Sequence, residues 1–527
     1  MAEATYTLTV DLNRDGDFSD ADEDLSARLI EAHWFNGFQS PYDAMCRDSF
    51  ADFVLDNYDG KYSPEKAGAI VGLDKGKVVT FDMTFGSTVR MFTGWVDKVS
   101  PVPDRWGPRT AKLYCDSWVT KAGRTKRWLV PVQRNKRVDE IIPELIDRTG
   151  CYPPGLSGAI WLLDIDGYSE LDVTTYLSDA TSYLTAETGG VTVALVGTKW
   201  NEQTSLFNAM AEVVKREGLG RLWLGRDGLL NFWNRDHMML TTTIDQTYDD
   251  SYPPAGLAYD YAALLFNRVS VKYSNQQIGS APEVLGIYSN EIVLAAGETK
   301  SVSYGFADSA SGARVGGQDV LAPVITTDFS AWTASGGGGS SVTSGLATGI
   351  RREGGGNAEV EFINSNAFTV YIQTGSQVRG TKVVAGSDAT RTAEDVSSIA
   401  AQGFLEFTFP NTVEGDDYAQ SLADFWLGLG KDPRGYARSL TIEARASSAY
   451  MTDALNLTVG AMVSLTEVQT GLSAGLYFII SEEHWVTTRP YRHKVTYKLE
   501  PASSQQVWLF DVTGFAELDT TAILAPW

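Results

Sequence analysis

The stretch Asp11–Asp22, DLNRDGDFSDAD, holds the residues best suited to chemistry. Asp11, Asn13, Asp15, Asp17 and Asp22 place oxygen donors at the spacing of a calcium-binding loop, with Gly16 at the sixth position, where the backbone must turn sharply. The twelfth position is Asp22, not Glu, so bidentate ligation there would be strained, and no helix signal precedes the loop. Calcium is one reading. A metal-free acidic turn is the other, and under either reading Asp20, Asp22, Glu23 and Asp24 extend an exposed acidic rim. No other cofactor is indicated. A search for catalytic groups finds little. The histidines are His33, His237, His484 and His493. None stands in an HExxH pattern, no G-x-S-x-G is present, and no Cys/His pairing is suggested locally. Asp164 with Asp166, or Asp22 with Glu23, are the carboxylate pairs a glycosidase would need. Acidic pairs are common in so acidic a chain, so they carry little weight. Gly336–Gly339 lacks the GK[ST] and following helix of a phosphate cradle.

A second constellation is basic. Lys121, Arg124, Lys126, Arg127, Arg134, Lys136 and Arg137 fall in a stretch with no acid between Asp116 and Asp139. Contact with an acidic neighbouring subunit, chiefly through Lys126, Arg127, Arg134, Lys136 and Arg137, is favoured over contact with nucleic acid; a solvated loop is the bland alternative. The chain as a whole carries a formal charge of −23. That opposes gripping nucleic acid, which needs Lys and Arg to displace counterions. An acidic inner surface would instead let DNA pass without sticking.

The elements that position these residues are mostly β. At 527 residues the chain exceeds a single core. Gly is abundant at 50 residues, and Thr, Val, Tyr and Trp are common, as in β-rich proteins. Cys46, Cys115 and Cys151 are too few for a disulfide framework and read as buried thiols of a protein made in a reducing cytosol. No apolar run is long enough to span a membrane, and MAEATYTLTV lacks the features of a secretory signal. Thr5–Val10, Leu29–Trp34, Asp52–Leu55, Val78–Phe85, Thr88–Val99 and Ala111–Trp118 read as strands of a small barrel. Phe50–Glu65 reads as a hairpin turning at Asn57-Tyr58-Asp59-Gly60. Apolar positions at helical spacing predict helices over Arg137–Arg148, Asn201–Glu217 and Asp416–Gly430. Asp227-Gly228 predicts a hairpin within Arg221–Arg235. Ser335–Ser341, SGGGGSS, falls between alternating runs and reads as part of a β excursion with mobile tips. Five regions follow: residues 1–120, a β-barrel; 121–260, an α+β module; 261–320 with 436–502, a second barrel; 321–435, an inserted Gly-rich excursion plus helix; and 503–527, an extension whose Trp508, Leu509 and Phe510 could dock on a neighbour.

Several segments together resemble the hub proteins at the tip of bacteriophage tails. They are the strand–DxNxDGDF–strand opening; Leu55-Asp56-Asn57 with Asp59-Gly60 and Tyr62-Ser63-Pro64; Phe92–Asp97; the DG hairpin ending in Trp233-Asn234-Arg235; Phe266–Val269 and Val378-Arg379-Gly380; Leu457–Leu465; and His493–Pro501, the most specific match. The resemblance covers roughly residues 1–505. It implies a mainly β, non-enzymatic virion protein with two hub-type barrels joined by an α+β domain. It further implies a homotrimer that continues the tail tube, converts sixfold to threefold symmetry and passes DNA without binding it specifically. Distal tail or tube protein, tape-measure protein and a fibre or spike are the implied partners, and the virion tail tip is the implied location. A receptor- or carbohydrate-binding adhesin using the Gly-rich excursion, and a cell-wall hydrolase, are the alternatives from other classes.

Overall fold

Alternating apolar positions write strands whose buried faces meet in one sheet. The computed structural model describes residues 2–46, 49–103, 107–126, 131–154, 183–198, 200, 203–241, 243–262, 264–273, 276–385, 389–502, 507–508 and 523–524. The first six strands are β1 (Thr5–Asp11), β2 (Leu29–Gly37), β3 (Phe50–Asp56), β4 (Val78–Phe85), β5 (Ser87–Val102) and β6 (Thr110–Asp116). They lie side by side in the order β1-β4-β5-β6-β3-β2. Six more come from far along the chain: β7 (Gln246–Tyr248), β8 (Gly256–Tyr261), β9 (Gly435–Glu443), β10 (Met462–Glu467), β11 (Leu472–Thr488) and β12 (Tyr491–Pro501). Their order is β7-β10-β11-β12-β9-β8, and β2 pairs β11 to make one 12-stranded sheet.

The architecture is mostly β, as the composition predicts, but no sheet among the described residues closes into a barrel. The physical reason lies in β2. Its outer edge, which closure of a first barrel would need, is spent on β11, from Glu31 opposite Thr487 to Gly37 opposite Ser481. A single apolar core then runs under both sets of strands, from Leu8, Phe53, Phe81 and Leu113 to Leu440, Ile442, Val463 and Tyr497. The hairpin expected at Phe50–Glu65 also changes. Gly60 turns the chain (φ 75°), but β3 pairs β2 and β6, not the segment after the turn.

A second core joins the helices Trp118–Arg124, Val138–Thr149 and Leu206–Lys215 to the hairpin Arg221–Leu224/Leu230–Trp233. Ser117 and Ser205 cap two of these helices, accepting backbone N–H groups with their side chains. Gly150, in the left-handed conformation (φ 63°), ends the third.

Between β8 and β9 the chain departs and returns at one place, where the Ala262 N–H donates to the Arg434 carbonyl (2.8 Å). The segment Ala263–Tyr273, whose sequence reads as the strand opening a second barrel, forms a strand over Arg268–Tyr273 that lies within this excursion. It pairs Ala389–Glu394 and Glu406–Val413 and packs Val269 and Val271 under Leu422 and Trp426 of helix Asp416–Gly430. The strands between residues 276 and 385 form their own three sheets around Leu285, Tyr304, Phe362 and Val378. The SGGGGSS run belongs here: Gly338–Val342 pairs Ala331–Ala334.

Candidate functional site

The joint between β2 and β11 gathers buried polar groups, Arg226, Glu482, His484 and His493 among them, and a repeat explains its position. Each strand β1–β6 has a counterpart six strands later, occupying the same place in its set. The match holds at single residues. Gly76 N–H donates to Val96 O (2.7 Å) and Val96 N–H to Lys77 O (2.8 Å); Gly460 N–H donates to Ile479 O (2.8 Å) and Ile479 N–H to Ala461 O (2.8 Å). Val78 lies opposite Trp95, and Met462 opposite Phe478. Trp95 faces Asp116, and Phe478 faces Glu500. A bulge follows Val96 on β5 and Ile479 on β11, so pairing resumes at Lys98–Tyr114 and at Ser481–Lys498. One difference is that β1 runs antiparallel to β4 whereas β7 runs parallel to β10.

At the joint the hairpin tip Gly225–Gly228 inserts a cation. Arg226, buried, donates Nε to Glu482 Oε1 (2.8 Å) and Nη2 to Glu482 Oε2. Its remaining N–H groups reach the carbonyls of Leu455 (2.5 Å) and Leu457 (2.7 Å). Its own carbonyl accepts from Thr93 Oγ1 on β5 (3.0 Å). One residue thus ties the hairpin to both sets of strands. His484 Nε2 lies 3.4 Å from Arg226 Nη2, and His484 Nδ1 lies 3.0 Å from His493 Nε2. The Trp34 ring of β2 stacks on His484 (4.4 Å, 11°), and His33 stacks on Trp485 (3.9 Å, 20°).

Burial alone would raise the Glu482 carboxyl; the Arg226 charge overrides it and holds the group at about 2. Burial pushes His484 down to about 4, against the pull of the Glu482 carboxylate 3.6 Å away. His493 is driven down by burial and then by His484 and Arg226, and its buried Nδ1 has no hydrogen-bond partner among the described residues. A second buried pair, Arg221 with Glu500, stands nearby, with Arg221 also donating to the Pro41 carbonyl (2.7 Å).

The sequence-predicted residues lie elsewhere. In the acidic loop, Asp11 is buried and accepts the N–H groups of Arg14 (2.5 Å) and Gly16 (3.1 Å). Asn13 donates to Asp15 (2.8 Å) and Asp20 (2.7 Å), and Asp17 accepts from Ser19 (2.9 Å). Asp22 turns away to Lys61 (2.6 Å). Glu23 is not on an exposed rim: it is buried and accepts from the Leu12 N–H (2.8 Å). Among the described residues no three His, Cys, Asp or Glu side chains are grouped to hold a metal.

Of the basic cluster, Lys136 pairs Glu144, and Arg137 pairs Asp139 (3.1 Å) and Glu140 (3.0 Å). Arg124 lies 3.4 Å from Asp116, and Lys121 sits over the Trp95 ring at 4.9 Å. Lys126 and Arg134 are exposed. Arg127, Asp164, Asp166, Leu509 and Phe510 lie outside the described residues. His237 stacks on Trp233 (3.8 Å) and bonds Glu187.

Sequence reading missed Arg226 and Glu482. The DG turn explains its own two residues and hides the arginine before it. The signal for Glu482 was present, as a carboxylate pair, Glu482-Glu483, inside a strand that carries no other acidic or basic residue besides His484.

No protein-family model and no curated protein matches the chain. Solved structures do resemble it. A tail protein from Neisseria meningitidis MC58 aligns over 95% of this chain and 97% of its own, at 8% identity and a TM-score of 0.46. The 43 kDa tail protein of prophage MuSo2 from Shewanella oneidensis aligns over 94% and 98%, at 11% identity and a TM-score of 0.44. An E. coli component of the type VI secretion system, described as structurally similar to the T4 tail proteins gp27 and gp5, aligns over 90% and 74%, at 7% identity and a TM-score of 0.35. Phage tail proteins are thus among the solved structures this chain is similar to.

Proposed function

We propose that the chain is a structural subunit of the hub ring at the distal end of a phage tail. The observation that carries this reading is the repeat: one polypeptide supplies two sets of strands in the same order, side by side in one sheet. Three copies would present six quasi-equivalent sets. A threefold ring could then sit on a sixfold tube. The hub-like segments read in the sequence, above all His493–Pro501, point the same way; this segment is β12 with its terminal proline. The ring would bind tube or distal tail protein and tape-measure protein on one side and a fibre or spike on the other. A chain of net charge −23 lining the bore would let DNA slide through unbound. Nothing in this role requires a chemical step or a cofactor, and the Asp11–Asp22 loop serves as a metal-free turn. Synthesis in the host cytoplasm precedes incorporation into the virion.

Cryo-EM of the tail tip tests the reading. The expected map has threefold symmetry with six similar β units around a channel. A chain that stays off the tube when combined with its tail neighbours would overturn it.

A further inference from the structure

The repeat also says where one copy should touch the next. Within the chain, the second half of β11 carries two partners, β12 on one edge and β2 on the other. That second edge is the one β10 occupies earlier along β11. The counterpart of β11 is β5. Its first half pairs β4, and its second half pairs β6. Among the described residues, no strand lies on the β4-side edge of Lys98–Val102. The counterpart of β2 is β8, which pairs only β9 among the described residues and leaves its outer edge open. The two unpaired edges are therefore the halves of the joint that β2 and β11 already make.

We infer that β8 of one copy adds antiparallel to the second half of β5 of the next copy. This rests on the proposed ring and specifies its joint. The register follows from the repeat. Tyr114 corresponds to Lys498, so Asp52 corresponds to Ser439 and His33 to Ala258. His33 faces Trp485, and Trp485 corresponds to Val102. Ala258 therefore faces Val102 of the neighbour, Tyr259 faces Pro101, Asp260 faces Ser100 and Tyr261 faces Val99.

The side chains suit such a joint. Tyr261 and Val102 are large apolar residues left 70% and 48% exposed at these edges. Asp260 would lie diagonal to the exposed Lys98, an opposite-charge pair on one face. The contact is heterologous, so it propagates around a ring and does not close as a twofold dimer.

Cysteines test the register. Directly opposed Cα atoms in an antiparallel pair lie ~4.5–5.5 Å apart, within disulfide reach. The full chain carrying Val102→Cys and Ala258→Cys, oxidised after assembly on tails, should run as a covalent three-chain species without reductant. Each single variant should not, and the out-of-register pair Val99→Cys with Ala258→Cys should cross-link at least tenfold less. In parallel, Lys98→Asp should lower the yield of rings, and adding Asp260→Lys should restore it. A threefold ring in which Val102→Cys/Ala258→Cys cross-links no better than the single variants would overturn the joint and leave the hub reading standing. A chain that never enters a ring would overturn both.

Discussion

At the scale of residues, the molecule commits a buried charge to the place where its two sets of strands meet. Arg226 is removed from water and matched by Glu482 and two backbone carbonyls. Such a pair adds little over an apolar replacement, but breaking one side leaves a buried charge. Arg226→Met alone should therefore cost about 3–5 kcal/mol, read as a large fall in the thermal midpoint. Combining it with Glu482→Leu should recover most of that loss. Equal losses in the single and double variants would deny the pair this role. Acid should act on the same cluster. His484 titrates at about 4 in the folded chain, below its ordinary 6.5, so the unfolded chain binds more protons between those values. Stability is then complete above about 6.5 and falls as pH drops to 4, by roughly 3 kcal/mol for this group. Glu482, held at about 2, adds a further loss as pH falls below the unfolded carboxyl range. Glu217 has the opposite sign: burial raises it to about 7, so its contribution is lost as pH rises through that value. His484→Gln removes the histidine's share, so its midpoint should fall less steeply than wild type between pH 6.5 and 4, while His493 and Glu217 still titrate.

At the scale of elements, close backbone approach decides what the joint tolerates. Gly37 ends β2 with φ 128°, and a Cβ there would sit 2.4 Å from the Ile480 carbonyl and 2.5 Å from Ser481 Cα. Backbone cannot yield as a flexible side chain can. Gly37→Ala should cost about 3 kcal/mol, whereas Gly86→Ala, at a turn with open space around it, should cost about 1 from φ alone. Comparable midpoints for the two variants would refute this account of the joint. The loop after β1 makes a different prediction. Its carboxylates already accept N–H groups or pair Lys61, so millimolar Ca²⁺ should leave the midpoint unchanged; a rise of several degrees would restore the calcium reading. These contrasts mark what sequence can reveal. Helix Asp416–Gly430 and the Asp227-Gly228 hairpin were legible because their signals are local: a 3.6-residue period and a turn dipeptide. The strands were legible from alternation, but their partners were not. The pairing of His33 with Trp485 leaves no mark within either strand, and alternation cannot say which edge a strand shares. Arg226 was hidden for the same reason, since its carboxylate and carbonyl partners, Glu482, Leu455 and Leu457, come from segments more than 200 residues later.

At the scale of the whole molecule, the joint account requires that ring contacts belong to the repeated strands and not to the excursion between β8 and β9. The excursion's distal part has its own sheets and a core drawn entirely from residues 285–378. Tyr273 and Ala389 face each other in an antiparallel pair at its base. Replacing residues 274–388 with Asn-Gly would turn that pair into a two-residue hairpin, the loop length such strands favour. The piece 276–385, expressed alone, should unfold cooperatively because its core needs nothing from outside. The shortened chain should keep β1–β12 and still assemble into threefold rings at near wild-type yield, seen by cryo-EM of isolated tips. Its loss of any receptor or sugar binding would then assign that role to the excursion. If the shortened chain folds, by circular dichroism and a single thermal transition, yet forms no ring, the contacts between copies lie in the excursion, and the open edges of β5 and β8 have some other purpose.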